Sequence, residues 1–503
     1  MSKTIAVIGA GLGGLTAGNL LVDRGHKVTL FESFSHPGGY TAGFRRQGYY
    51  FESGTLSFES RGVFEKMMDD LGLSGRLPLE PMKMRMVSPH FDFVFDTMPA
   101  LKDALQAAFP GDRAGLDGYF RAIDPLIAAM RPFVTQALPA QFHGLRRVGA
   151  LMPFLAAGPR FALRRRKVKG MTVDELAAEH FKPGTPAYRF FTGLGYPKME
   201  VTTQAGMFLV VTEDYWHAKD GMQHWADLLA ARFRERGGDL RLNSPVERIL
   251  TRNKAAVGVV SKGESFEADA VVSGCDYKKT FLKLLDDASA VPPETLAKIR
   301  AAALSEGIFT VYLGLRMSGA ELLSKMKATS VGFRPLDRDV DLESDMAADH
   351  FDRDGFSLYS PSLVNPRLAP EGRSSLMIQA ISPARWQDDW HRADPEAYRA
   401  LKARVRDRLV ARAEAVVPGL GAAVEFVDAA TPLTYERYTG NTDGATSGWS
   451  WNPKKPFYKG GMIATKVTTP VRNLWIGSSW AGQIGGIPNA IAAAYLSAKK
   501  IGS

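Results

Sequence analysis

At 503 residues the chain exceeds one ordinary domain and should fold as two intertwined ones. Its 45% hydrophobic and 23% charged residues are those of a soluble globular protein, and no apolar run reaches the ~18 residues that span a bilayer. One cysteine, Cys275, excludes an internal disulfide, nine histidines without metal-ligand spacing leave no metal to assign, and the net charge of +10 comes almost wholly from one internal segment.

The chain enters its first strand within a few residues, which predicts no signal peptide. Thr4–Ile8 is β-branched and apolar, as a buried parallel strand is, and it runs directly into Gly9-x-Gly11-x-x-Gly14. Apolar residues at helical spacing follow (Leu15, Ala17, Leu20, Leu21), then Gly25 as a stop, then a second strand, Lys27–Phe31, ending in Glu32. This is the βαβ dinucleotide fingerprint, and each part has a task. Gly9 makes the tight turn, Gly11 lets the backbone approach a pyrophosphate, and Gly14 lets helix and strand pack closely, with Leu12 and Gly13 between them in the same site. The helix N-terminus offers unpaired N–H groups to the phosphates. Glu32, 18 residues after Gly14, is placed to bind a ribose hydroxyl, and Ser33 adjoins it. The fingerprint alone does not separate NAD from FAD.

Five residues past Glu32 comes Pro37-Gly38-Gly39-Tyr40, and then Gly48-Tyr49-Tyr50-Phe51-Glu52-Ser53-Gly54-Thr55. On these motifs the chain resembles the flavin-containing amine oxidase superfamily, and within it the phytoene desaturase, carotenoid isomerase and retinol saturase branch. The resemblance implies FAD, with Gly38, Gly39, Tyr40, Gly54 and Thr55 beside it. Glu52 and Thr55 stand where Asp and Pro are usual. It also implies an α/β fold, a Rossmann-type FAD-binding domain (GR2-like) with a discontinuous mixed α+β substrate domain, to which the charge pattern adds a basic helical, membrane-facing part. The FAD-binding segments are expected at 1–97, 221–287 and 430–503, and the substrate segments at 98–220 and 288–429.

Within the first segment a helix is predicted through Phe64–Leu71, with strands around Met82–Val87 and Phe91–Phe95. From Met98 the pattern turns helical, with a helix over Leu116–Met130. Between Asp124 and Asp174 there is no acidic residue but nine basic ones: Arg131, Arg146, Arg147, Arg160, Arg164, Arg165, Arg166, Lys167 and Lys169. Apolar side chains interleave with them. Segment 131–169 therefore predicts contact with an anionic membrane surface, and with it a cytoplasmic protein peripheral on the inner face. A solvated basic face is the plainer alternative, and no nucleic-acid module accompanies the charge. Ala205–Val211 reads as a buried helix or strand.

A helix is expected over Trp225–Glu235, then a strand pair from Gly237-Gly238-Asp239-Leu240 to Val246–Ile249. By the resemblance, the Val246 backbone meets the FAD adenine. Val257–Ser261 and Phe266–Val272 read as a closing β-meander, Thr310–Leu315 and Ser375–Ala380 as strands, and Pro395–Val416 as a long amphipathic helix. Leu474–Ile476 is a strand, Gly477-Ser478-Ser479 its exit, and Gly482–Pro488 a glycine loop containing Gly486 and Ile487 before a helix over Asn489–Lys500. In relatives that strand ends in Gly-Asp against the ribityl chain, and the helix N-terminus points at the isoalloxazine C2 carbonyl. Such a helix end stabilises the negative charge of a reduced flavin. Here Ser478 replaces the Asp.

The expected function is therefore an FAD-dependent oxidoreductase acting on carbon–carbon bonds of a long lipophilic, isoprenoid-like substrate, as desaturase, saturase or isomerase. An FAD oxidase of a soluble amine or amino acid, and a non-catalytic FAD-stabilised lipid-binding protein, stay open. No Ser-His-Asp or Cys-His spacing is present. His217, Lys219, Glu200, Asp214, Tyr435 and Glu436 lie in segments able to approach the flavin, and none is assigned as a general base.

Overall fold

Four buried residues in five make Thr4–Ile8 the hub of a parallel sheet. In the computed structural model, which describes residues 1–196, 198–339, 350–382, 390–458 and 465–502, Val7 lies opposite Leu30 on one side and Val272 on the other. Asp239–Arg241 and Leu474–Ile476 extend the sheet to five strands. Strands covered on both faces read as continuous apolar runs, which is why the first two were legible. Helix Leu12–Asp23 packs on the sheet, with Met222–Glu235 and Ile487–Ile501 against it.

Two expectations are corrected here. Ala270–Ser273 does not close the meander, which consists of Val246–Arg252, Ala255–Ser261 and Glu264–Glu267. All four of its residues are buried, so it inserts into the parallel sheet beside Thr4–Ile8. Asp239–Arg241 likewise joins that sheet and does not pair with Val246–Arg252.

The boundary at 97 also moves. Met84–Ser88 and Phe91–Phe95 form one edge of a seven-stranded sheet, with Met86 opposite Gly332. The other strands are Ser330–Phe333, Phe356–Tyr359, Ser374–Ser382, Gly307–Leu315 and Val424–Ala430. Met86 and Phe95 are buried among Leu101, Phe109 and Phe190 of the helical insert, so residues 84–95 pack with the substrate half.

The insert contains helices Arg113–Thr135 and Gly144–Arg166, which form a hairpin, and Val201–Glu213. The last resolves the ambiguous run Ala205–Val211 as a helix; it is buried on nearly every face, with Thr202, Gln204 and Thr212 buried beside its apolar residues. Helix Pro395–Ala413 ends three residues before the predicted limit.

The nucleotide half is closed by backbone contacts at glycines. A Cβ on Gly14 would stand 2.0 Å from the Gly9 carbonyl oxygen, and one on Gly13 2.1 Å from that of Gly477. Both neighbours are backbone and cannot rotate away. Gly14→Ala is therefore expected to cost about 1–3 kcal/mol, the range of overpacked cores, read as a lower midpoint in urea unfolding at unchanged slope.

Candidate active site

Helix Leu12–Asp23 starts at Gly11, whose lack of a capping side chain leaves the first N–H groups facing a cavity of about 810 Å³. Gly9 (φ +90°) turns the chain out of the strand. A Cβ on Gly11 would meet nothing within 4 Å, so this position opens directly on the cavity. The second glycine pair docks on the first: the Gly38 N–H donates to the Ala10 carbonyl at 2.9 Å, and a Cβ on Gly39 would lie 3.4 Å from Gly11 Cα. Glu32 is buried at the strand end, where Oε2 accepts from the Ala10 N–H (2.7 Å) and Oε1 from the Phe34 N–H (2.9 Å) and the Ser33 hydroxyl (3.1 Å).

On the opposite side, Ser478 follows the strand Leu474–Ile476, and its hydroxyl donates to the Cys275 carbonyl at 3.2 Å. Its lone pairs stay available to a ligand hydroxyl. Gly486 (φ +97°) caps helix Ile487–Ile501 without a side-chain hydrogen bond, so a second helix N-terminus opens on the site. The cavity is lined by Gly9, Gly11, Leu12, Gly13, Glu32, Ser33, Gly38, Gly39, Tyr40, Thr55, Val246, Ser478, Gly486 and Ile487. Of the residues expected at the cofactor, Gly14 and Gly477 line neither cavity and act through packing, while Gly54 lines the neighbouring one.

Comparison with known proteins decides what this architecture is. The family model described as flavin containing amine oxidoreductase matches residues 12–501. The chain belongs to that family. It is 26% identical to the phytoene desaturase (lycopene-forming) of Pseudescherichia vulneris over 438 residues, 84% of this chain and 83% of the relative. It is 24% identical to the all-trans-retinol 13,14-reductase of Danio rerio over 503 residues, 93% of this chain and 81% of the relative. The fold matches cyclohexylamine oxidase from Brevibacterium oxydans IH-35A with a TM-score of 0.61 at 14% identity, covering 100% of this chain and 99% of that one. The protein is an FAD-dependent oxidoreductase of the carotenoid desaturase and retinol reductase branch.

The residues fit FAD. Backbone N–H groups at Gly11 and the open space above its Cα suit a pyrophosphate, Glu32 suits a ribose, and the Gly486 helix end suits an electron-accepting ring. When bound, the flavin supplies hydride transfer; the protein holds and orients it and keeps water out.

A second cavity of about 1090 Å³ meets the first at Tyr40, Thr55, Tyr435, Thr446, Gly486 and Ile487. Tyr40 and Tyr435 stack there, with centroids 5.8 Å apart and rings 10° from parallel. The Tyr40 hydroxyl donates to the Gly444 and Ala445 carbonyls, and burial holds its pKa far above the ordinary value. The walls are mostly apolar, with Met82, Met84 and Met86 from the sheet side and Phe133, Phe154 and Phe161 from the hairpin, and they also carry Arg334, Asp337, Arg338, His350, Arg353 and Asp354. The methionines carry no sequence pattern that announces a binding site, and only the fold collects them.

The six polar residues expected near the flavin separate clearly. Tyr435 lines both cavities and shares a hydrogen bond with Thr310 at 2.7 Å. The other five line neither. His217 is buried against Tyr359, with burial lowering its pKa to about 4, and its Nδ1 lies 3.2 Å from the Leu56 carbonyl. Glu200 pairs with Arg165, Asp214 accepts from the Arg61 N–H and the Trp216 indole, Glu436 meets Arg392, and Lys219 reaches Glu80 at 3.9 Å. Glu52 turns away as well: its carboxyl receives the Tyr50 hydroxyl (2.7 Å) and the Met222 N–H (3.1 Å) at the start of helix Met222–Glu235. Glu59, which the sequence did not single out, faces the second cavity.

Two predictions follow from this geometry. Gly11→Val should lose bound flavin, measured as visible absorbance per protein after gel filtration, while the apoprotein unfolds at the wild-type midpoint. Burial raises the Glu52 carboxyl from 4.5 to about 8, so the folded protein holds a proton that the unfolded chain releases. This contribution is intact below pH 4.5 and is lost as pH rises toward about 8. The thermal midpoint should therefore fall across that window, and Glu52→Gln, which carries no titrating proton and keeps one acceptor oxygen, should flatten the fall.

Proposed function

We propose that the protein exchanges hydrogen between FAD and carbon–carbon bonds of a long lipophilic polyene, bound in the larger cavity while the enzyme rests on an anionic membrane surface. The observation that carries this reading is the joining of three features in one path. The cofactor cavity meets the apolar cavity at the Tyr40–Tyr435 stack, and the apolar cavity reaches the inner face of the basic hairpin at Phe133, Phe154 and Phe161. Relatives named for phytoene and retinol support the substrate class. Desaturation, saturation and isomerisation all use this arrangement.

The hairpin's second helix supports the membrane contact. Leu145, Val148, Met152, Leu155 and Leu163 are exposed at 58–89%. The first four recur at spacings of three and four, which makes one apolar stripe on helix Gly144–Arg166. Arg146, Arg160, Arg164, Arg166, Lys167 and Lys169 are exposed on or just beyond the same helix, and among the described residues only Arg131 and Arg165 of the nine cations form ion pairs. No helix among the described residues is long and apolar enough to cross a membrane. An apolar stripe flanked by cations suits the interface instead.

Sedimentation with vesicles tests the membrane contact. The holoprotein should bind phosphatidylglycerol vesicles more tightly than phosphatidylcholine ones, and less tightly as salt rises. The double substitution Met152→Asp and Leu155→Asp should weaken binding roughly tenfold or more, as expected from removing two buried apolar side chains, with flavin content unchanged. Anaerobic mixing tests the substrate: phytoene in detergent should bleach the flavin and putrescine should not. Bleaching by putrescine alone would replace this reading with amine oxidation.

A further inference from the structure

Three carboxylates line the substrate cavity among the described residues: Glu59, Asp337 and Asp354. Asp354 is ion-paired with Arg338 and His350, and Asp337 belongs to the same arginine-rich turn. Glu59 stands apart. It ends the short strand Phe58–Glu59, which pairs with Tyr215–Ala218, so Phe58 points into the core beside Trp225 while Glu59 points the other way, into the cavity. A Cβ on Gly486 would lie 3.1 Å from Glu59 Oε1, and Gly486 lines both cavities. The carboxyl is therefore at the junction where cofactor and substrate meet.

Resting on the reading of carbon–carbon hydrogen exchange, we propose that Glu59 is the catalytic acid–base residue: it takes the proton lost on desaturation and returns it on saturation. Desaturation removes two hydrogens from adjacent carbons. One departs with its electron pair to the flavin and leaves an allylic cation on the substrate. The neighbouring C–H then gives its proton to the Glu59 carboxylate, and its bonding pair becomes the new double bond. The reverse sequence restores both hydrogens. Charge and electrons balance, with no reactant beyond the cofactor and this side chain.

The surroundings suit the task. Burial, with Asp214 adding like charge, raises the Glu59 pKa to about 7, where a carboxyl both donates and accepts protons. The other titratable groups facing it are Tyr215 and Tyr196, both with pKa values raised by burial, and Glu306 lies beyond Tyr196. The nearest cation along the chain, Arg61, is held by Glu65 and by the Trp216 ring, 4.4 Å from its centroid.

The test compares FAD-loaded wild type, Glu59→Gln and Glu59→Asp. Flavin content should match in all three, and melting should match near pH 5, where the wild-type carboxyl is protonated. The flavin midpoint potential, followed between about pH 5 and pH 9, should bend downward near neutrality in wild type, because an ionising carboxylate beside the ring disfavours added negative charge. That bend should be absent in Glu59→Gln. Flavin bleaching by phytoene should slow roughly 10²-fold or more in Glu59→Gln, the usual share of an acid–base group, and recover in part in Glu59→Asp. Identical potential curves for wild type and Glu59→Gln, or bleaching at the wild-type rate, would overturn the assignment. Should phytoene bleach neither protein, its desaturation fails instead, and the potential curves alone decide whether Glu59 titrates against the flavin.

Discussion

Backbone held directly against backbone at a few glycines is the constraint on which the remaining structure depends. Gly14 lies on the Gly9 carbonyl, Gly13 on that of Gly477, and the Gly38–Gly39 pair on Gly11. Segments separated by more than 450 residues are thereby locked into one unit. A side chain at these contacts would separate the last parallel strand from the first helix. Their closeness brings the N-termini of helices Leu12–Asp23 and Ile487–Ile501 to the same cavity. Two partly positive helix ends then face one ligand, one suited to its phosphates and the other to a ring that gains negative charge on reduction.

How much of this was legible depended on whether the determining contacts were local. The strands of the βαβ unit and Leu474–Ile476 were readable because burial leaves a continuous apolar signature, and the second glycine pair through its place after Glu32. The edge strands at 84–95 were assigned to the wrong half because alternation identifies a strand and not its sheet. Their membership is decided by the helical insert that covers Met86 and Phe95. Ala270–Ser273 failed for the same reason. At the site, the glycines and Glu32 were legible through motif spacing, whereas Glu59 was not. Nothing around it in sequence distinguishes it from a surface carboxylate, and it matters only because the terminal helix starts beside it.

The second helix of the hairpin is apolar on two faces. The inner face of Gly144–Arg166 presents Phe154 and Phe161 to Phe133, with centroids 5.3 and 5.4 Å from it, and these rings wall the larger cavity. The outer face exposes Leu145, Val148, Met152 and Leu155. A helix apolar on two faces normally lies in a protein core. Here only Ala157 and Phe161 of its residues are buried, and the cations that surround the stripe oppose burial in protein. The proposed contact with an interface between water and lipid would satisfy both demands, with cations at the headgroups and leucines below them.

Two carboxyls seven residues apart illustrate how partners divide structural from chemical roles. Burial raises the pKa of both Glu52 and Glu59, so desolvation does not distinguish them. Glu52 is supplied with donors, the Tyr50 hydroxyl and the Met222 N–H, and its site is closed: the residue ties strand Tyr49–Glu52 to the start of a helix. Glu59 has no ion-pair partner among the described residues and faces a mostly apolar cavity, with methionines and aromatic rings among its walls. A carboxyl so placed costs stability, since apolar neighbours replace the water that would solvate it. An apolar side chain would be the more stable choice for binding a polyene alone. A carboxyl against the glycine loop, able to change protonation near neutrality, is instead what proton transfer to or from a substrate carbon requires.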